Sequence, residues 1–186
     1  MINRYQKNKA IGFTLIEVLL GMAIILIIAS GSYVGFVKFG RQQNLNISRD
    51  NLVNTLTEAR SNAMSQVITT TQSPNGCKQP GTFRTLEGQR VSFDRTTDPN
   101  SYLIQEVCRD ASGPYAPIVK RISLPLGTEF LSTPPLGYIE FKVRTGEAIA
   151  SEIVVKIKGS TDLSQRKKIC INSTGVIKSI EVTEAC

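Results

Sequence analysis

"KNKAIGFTLIEVLLGMAIILII", residues 7–28, sets a single carboxylate, Glu17, at the head of an otherwise apolar run. From Val18 to Val37 there are 20 residues without a charge, bounded by Glu17 and Lys38. At about 1.5 Å per residue, a helix of that length spans about 30 Å and matches a hydrocarbon core. Arg4, Lys7 and Lys9 precede the run, and no acid occurs among the first 16 residues. That asymmetry predicts a cytoplasmic N-terminus and a chain that otherwise folds beyond the inner membrane. A carboxylate at the edge of such a segment raises the cost of membrane entry, so its retention asks for a reason.

A plain membrane anchor accounts for the apolar run, and so does a secretory signal peptide cut near Ala29-Ser30-Gly31 to give a mature start at Ser32. Neither accounts for Glu17. A third reading does. "KAIGFTLIEVLL" closely resembles the signal of type IV prepilins, with a short basic leader, then Gly12, Phe13, Thr14, Leu15, Ile16 and Glu17. The resemblance implies that prepilin peptidase cuts between Gly12 and Phe13 and that Phe13 becomes N-methylated. It also implies that Glu17, fifth in the mature chain, pairs with the N-terminal amine of a neighbouring subunit and so registers assembly. A carboxylate in a low-dielectric helix bundle needs such a positive partner. Gly21, Ala29, Gly31 and Gly35 offer small residues for close helix approach, although glycine is also common in membrane helices generally.

The totals agree with one domain plus an appendage: 186 residues, 41% hydrophobic and a formal charge of +7. That charge permits contact with nucleic acid or anionic lipid, and many ordinary domains share it. The chain has no histidine, which removes the commonest general base and metal ligand and argues against hydrolase triads and most zinc sites. Its four cysteines, 77, 108, 170 and 186, form no CxxC pair, and an even count beyond a membrane reads as two disulfides in an oxidising compartment.

After Lys38, Leu45, Leu52, Leu56, Ala59, Ala63 and Val67 recur at helical spacing and give one apolar stripe. The helix is expected to end near Thr69-Thr70-Thr71, ahead of Ser73-Pro74-Asn75-Gly76. From Cys77 onward the period changes to two. Candidate strands are Phe83–Leu86, Arg90–Asp94, Tyr102–Cys108, Ile118–Leu124, Tyr138–Arg144, Glu152–Lys158, Lys167–Asn172 and Val176–Val182, the last two flanking "STG" as a hairpin. Thr96–Ser101 and Asp110–Pro117 read as surface loops. The fold class is α+β: a long N-terminal helix packed on an antiparallel sheet.

"LTEARSNAMSQ", residues 56–66, resembles the helix signature of the FimT, FimU and GspH group of minor pilins. "IEFKVRTGEAI", "SEIVVKIKG" and "KKICINSTGVIKSIEV" resemble that group's closing strands in the same order. The resemblance implies a pilin fold divided into a leader (1–12), a hydrophobic transmembrane and assembly helix (13–37), an amphipathic continuation (38–71) and a β-rich head (72–186). Of the three pairings that four cysteines allow, the pilin pattern of a closed C-terminal loop favours Cys170 with Cys186 and Cys77 with Cys108.

Some relatives of the FimT type bind DNA through Gly-Arg-x-Arg at the tip of the closing hairpin. The matching residues here are Gly175, Val176, Ile177 and Lys178, so the first arginine is lost. Arg166, Lys167 and Lys168 form a candidate substitute patch with Lys178, and the competing reading is a solvated basic edge that discourages sheet aggregation. Nothing converges on a catalytic site. Asp94 and Asp98 are the nearest acidic pair for calcium and lack clustered ligands. The resemblance thus implies a non-enzymatic minor type IV pilin with no cofactor and no metal, held in the bacterial inner membrane before assembly and in a pilus or pseudopilus afterwards. Its implied partners are other pilins or pseudopilins, prepilin peptidase, the inner-membrane assembly platform and, for the DNA-uptake alternative, DNA. A minor pseudopilin of type II secretion and an ordinary secreted binding protein are the other readings.

Overall fold

The computed structural model describes residues 13–68, 77, 85–110 and 113–186. The chain divides into two compact units, Met1–Phe39 and Gly40–Cys186. Helix α1, Leu15–Ser65, supplies the regular structure of the first unit and the opening helix of the second.

In the first unit the apolar side chains are exposed, Phe13 at 82% and Leu15 at 80%, with Leu26 and Ile27 at 70% and 72%. Exposure of so many large apolar groups means that this segment requires a partner surface or a membrane. Among the described residues no helix is long and apolar enough to cross a membrane. Residues 29–34 continue α1, but their side chains, in the middle of the run Val18–Val37, lie outside the described residues, as does the leader through Gly12.

The second unit is built on the other half of α1. Leu45, Leu52, Leu56, Ala59 and Ala63 are fully or almost fully buried and share one core with Val91, Tyr102, Phe130, Phe141, Val155 and Ile169. Two polar residues complete that helix face: Ser48 and Thr55 are buried, and the Ser48 hydroxyl lies 3.1 Å from that of Thr128. The small Ala59 and Ala63 let the last turns approach the sheets closely.

The helix stops at Ser65, short of Thr69–Thr71, which lie outside the described residues. Gln66 adopts a φ of 54°, and its N–H donates to the Ala63 carbonyl (3.3 Å), while the Val67 N–H donates to that of Asn62 (2.9 Å). This pair of bonds is a Schellman cap formed without glycine. Val67 falls past the cap and is 41% exposed, so it does not extend the core stripe.

The single sheet expected from the sequence is two antiparallel sheets. The first has the order β3-β2-β1-β6, with β4 also pairing β2, where β1 is Thr85–Asp94, β2 Ser101–Asp110, β3 Gly113–Tyr115, β4 Ile118–Ser123 and β6 Tyr138–Lys142. The second runs β5-β7-β8-β9, with β5 Thr128–Ser132, β7 Ser151–Ile157, β8 Arg166–Ile171 and β9 Ile177–Ile180. The expected strands at 83–86 and 90–94 are, in their described part, one strand with a bulge between Leu86 and Gly88. Strand β5 and the short β3 fall where no strand was expected. Both sheets turn alternate apolar residues onto α1, which is why one helix stripe serves both.

Candidate assembly and recognition sites

At the N-terminus, the Glu17 N–H donates to the Thr14 carbonyl (3.1 Å) and to the Thr14 hydroxyl (3.3 Å). Thr14 therefore caps α1, with Glu17 at the third helical position, the spacing of a capping box. Glu17 and Phe13 are exposed. The carboxylate also lies in the first turn, where the helix dipole favours negative charge. The sequence carries this signal as Thr14-Leu15-Ile16-Glu17, and it is a local role for Glu17 that the pairing argument did not include.

Both cysteine pairs are bonded: Cys77 to Cys108 and Cys170 to Cys186, each with a Cα separation of 5.5 Å. The sulfurs of Cys77 and Cys108 lie within 4.8 Å of a Glu106 carboxylate oxygen. With both sulfurs in a disulfide, that cluster presents no thiolate to a metal.

At the closing hairpin, the Asn172 Oδ1 accepts from the Val176 N–H (2.8 Å) and the Thr174 hydroxyl (2.7 Å). Gly175 is buried at a φ of 76°, and a Cβ there would collide with the Gly146 carbonyl and meet Arg60 Nε at 3.0 Å. Arg60 Nη2 donates to the Thr174 carbonyl at 3.2 Å. The glycine thus serves a left-handed turn pressed against α1 and the β6–β7 connection. Arg60 belongs to the "ARSNA" stretch of the helix signature and fastens that turn.

Three of the four candidate bases share a face, but two of those three are engaged within the fold. Strand alternation places Lys167 on the side of Ile169 and Ile171, which face the core, and Arg166 and Lys168 on the opposite side. Lys178 pairs in register with Cys170 and so shares the outer side. Lys168, only 11% exposed, binds the Glu152 carboxylate at 3.0 Å and the Glu184 carbonyl at 3.0 Å. Arg166 Nη2 donates to the Thr161 carbonyl at 2.7 Å. Of the candidates, Lys178 is the exposed cation, and two of the remaining three are engaged within the fold.

The calcium candidates are likewise committed elsewhere. Asp94 accepts from the Thr96 hydroxyl (2.6 Å) and N–H (3.0 Å) and from Arg121 (3.3 Å), and the Thr96 bonds hold its pKa below the ordinary carboxylate value. Asp98 pairs with Lys158 at 2.6 Å, which raises the lysine's pKa.

Residues 7–33 match the family described as the prokaryotic N-terminal methylation motif. The matched stretch takes in the basic residues Lys7 and Lys9, the Gly12–Phe13 junction, Glu17 and the first part of the apolar run. The motif lies at the start of a helix, Leu15–Ser65, that is followed by antiparallel strands. Among solved structures, the chain is similar to the minor pseudopilin EPSH from the type II secretion system of Vibrio cholerae. That similarity has 11% identity and a TM-score of 0.48, over 78% of this chain and 99% of the other. No curated protein matches.

Proposed function

We propose that the chain is a minor type IV pilin: a structural subunit, cleaved between Gly12 and Phe13, methylated on Phe13, and built into a pilus or its initiating complex. The observation that carries this reading is the methylation motif at residues 7–33, running into an exposed apolar helix with Glu17 at its start. An exposed apolar helix of this kind is soluble only in lipid or among like helices, and assembly exchanges one for the other. Membrane insertion before assembly, with the head outside the inner membrane, follows from the charge asymmetry around the run. The work of such a subunit is association and display. A role as a minor pseudopilin of type II secretion rests on the same features, and the two separate by which apparatus fails when the chain is deleted. The engagement of Arg166 and Lys168 by groups of the fold supports assembly over DNA capture.

The test is co-expression of the full chain with prepilin peptidase, followed by N-terminal mass spectrometry. A product that begins at methylated Phe13 supports the proposal. A product that begins at Met1 or Ser32 overturns it in favour of an anchor or a secreted protein.

A further inference from the structure

Strand β4 pairs only with β2, and among the described residues no backbone hydrogen bond reaches its outer edge. Between that edge and α1 lies a cavity of about 490 Å³, within the usual size range of ligand pockets. The helix contributes Asn51 and Asn54, three residues apart on its exposed side, whose side chains make no hydrogen bond among the described residues, with the exposed Glu58 beside them. Two amides at that spacing offer donors and acceptors to a polypeptide backbone.

The sheet side holds a second observation. Tyr102 is 1% exposed with its ring in the core, edge-on to Phe130 at 6.5 Å, yet the residue lines this cavity and its hydroxyl has no hydrogen-bond partner among the described residues. Burial pushes its pKa upward, so the group is a proton donor at any physiological pH. The Thr55 hydroxyl is near enough to oppose that rise but does not form a hydrogen bond. Buried hydroxyls in folded proteins nearly always have a partner, so this one is a donor open to an acceptor that reaches it.

Register fixes what the edge would select. Lys120 pairs with Ile104 and Ile122 with Tyr102, so both lie on the helix side of the sheet. Lys120 is exposed and has no ion pair among the described residues, whereas its neighbour Arg121 is occupied by Asp94 and Ser101. A strand added to β4 would set one residue against Lys120, where opposite charge is favoured, and another against Ile122, where an apolar side chain is favoured. Strand addition at an exposed edge draws affinity from main-chain bonds and specificity from such alternate pockets.

We propose that the groove between α1 and β4 receives an extended segment of another polypeptide, added to the edge of β4 with an acidic side chain against Lys120 and an apolar one against Ile122. The acid accepts from Lys120 Nζ and from the Tyr102 hydroxyl, and Asn51 and Asn54 take the backbone. Glu58 is exposed, so solvent and salt screen it from the incoming acid.

The probe is a capped peptide of sequence Val-Thr-Glu-Thr-Val, titrated into the ¹⁵N-labelled full chain in detergent micelles, beside a version with lysine in place of its glutamate and beside acetate alone. The expected result is saturable shifts of the Lys120 and Ile122 amides and the Asn51 and Asn54 side-chain amides by the acidic peptide. Tyr102→Phe weakens that binding about two- to tenfold, the worth of one hydrogen bond, and leaves the melting temperature unchanged. Lys120→Glu reverses the preference between the two peptides. The proposal is overturned by an absence of saturable shifts on β4. It is equally overturned by a Tyr102→Phe variant that melts lower and binds as before, which would assign the hydroxyl to the fold. Acetate that shifts the Tyr102 and Lys120 signals while the peptide leaves the β4 amides unmoved would reduce the groove to a carboxylate pocket and also end the strand-addition idea.

Discussion

Gly175 shows how one residue can carry two explanations that a single substitution separates. If it were kept for close approach to a phosphate, alanine would weaken DNA contact and spare the fold. The structure gives it a φ of 76°, with the Gly146 carbonyl where a Cβ would stand. Gly175→Ala is therefore expected to cost about 2 kcal/mol or more of stability, from left-handed strain plus displacement of the β6–β7 connection. Denaturant unfolding of the full chain in mild detergent reads that cost directly, and an unchanged midpoint would return the glycine to a surface role. Lys168 carries the same lesson in reverse. In the sequence it is one of three adjacent bases. In the fold it is nearly buried between the half-exposed Glu152 carboxylate and the Glu184 carbonyl, where removing it would untie the C-terminal segment rather than change a nucleic-acid surface.

At the scale of elements, the C-terminal segment lies at one edge of its sheet. Strand β9 is a four-residue edge strand, and residues 181–186 beyond it are tied back by the Cys170–Cys186 bond and by Lys168. The chain-entropy model values a closure of this length at about 3 kcal/mol. Cys170→Ser with Cys186→Ser is expected to lose stability of that order and to raise amide exchange in β9 before any change in β7. Exchange that rises evenly through both sheets would show that the bond serves the whole head. The same elements show what was legible beforehand. Strand β6 announces itself because Ile139 and Phe141 alternate with charged residues, and β7 keeps the same period in Ile153, Val155 and Ile157, although Val154 interrupts the polar side. Strand β5, "TEFLS", has two large apolar residues between polar ones and takes its place from pairing with β7, which no local pattern encodes. Alternation tells which face a residue turns to and is silent on which strand lies beside it, so one expected sheet became two. The helix end was misplaced because Gln66 forms the left-handed cap, a role usually signalled by glycine or asparagine. The α1–β4 groove left no trace in the sequence, since it draws on three separated segments and its telling feature is a hydroxyl without a partner.

At the scale of the whole molecule, the question is why a chain with a membrane-length apolar run keeps Glu17. Two physical roles are open to it, and they differ in what the side chain must be. As a capping-box residue in the first turn of α1, it needs a polar group of the right reach, and glutamine serves nearly as well as glutamate. As the partner of a neighbouring subunit's amine, it needs the charge itself, because in a low-dielectric bundle an unpaired ammonium is costly and a neutral amide recovers little of that cost. Glu17→Gln and Glu17→Ala should therefore behave alike in assembly if pairing between subunits dominates. They should behave differently if the cap dominates, with glutamine close to the parent and alanine resembling Thr14→Ala, which removes the observed Thr14–Glu17 bond. The measurement is the fraction of each variant recovered in sheared filaments, or in the secretion apparatus, relative to the membrane pool, with N-terminal processing checked on each. We expect both Glu17 variants to be processed and to remain in the membrane, while Thr14→Ala assembles at a modestly reduced level, consistent with a cap worth about 1 kcal/mol. Assembly of Glu17→Gln at the parent level would transfer the residue's role to the helix start, and the registering of subunits would then have to reside in the head.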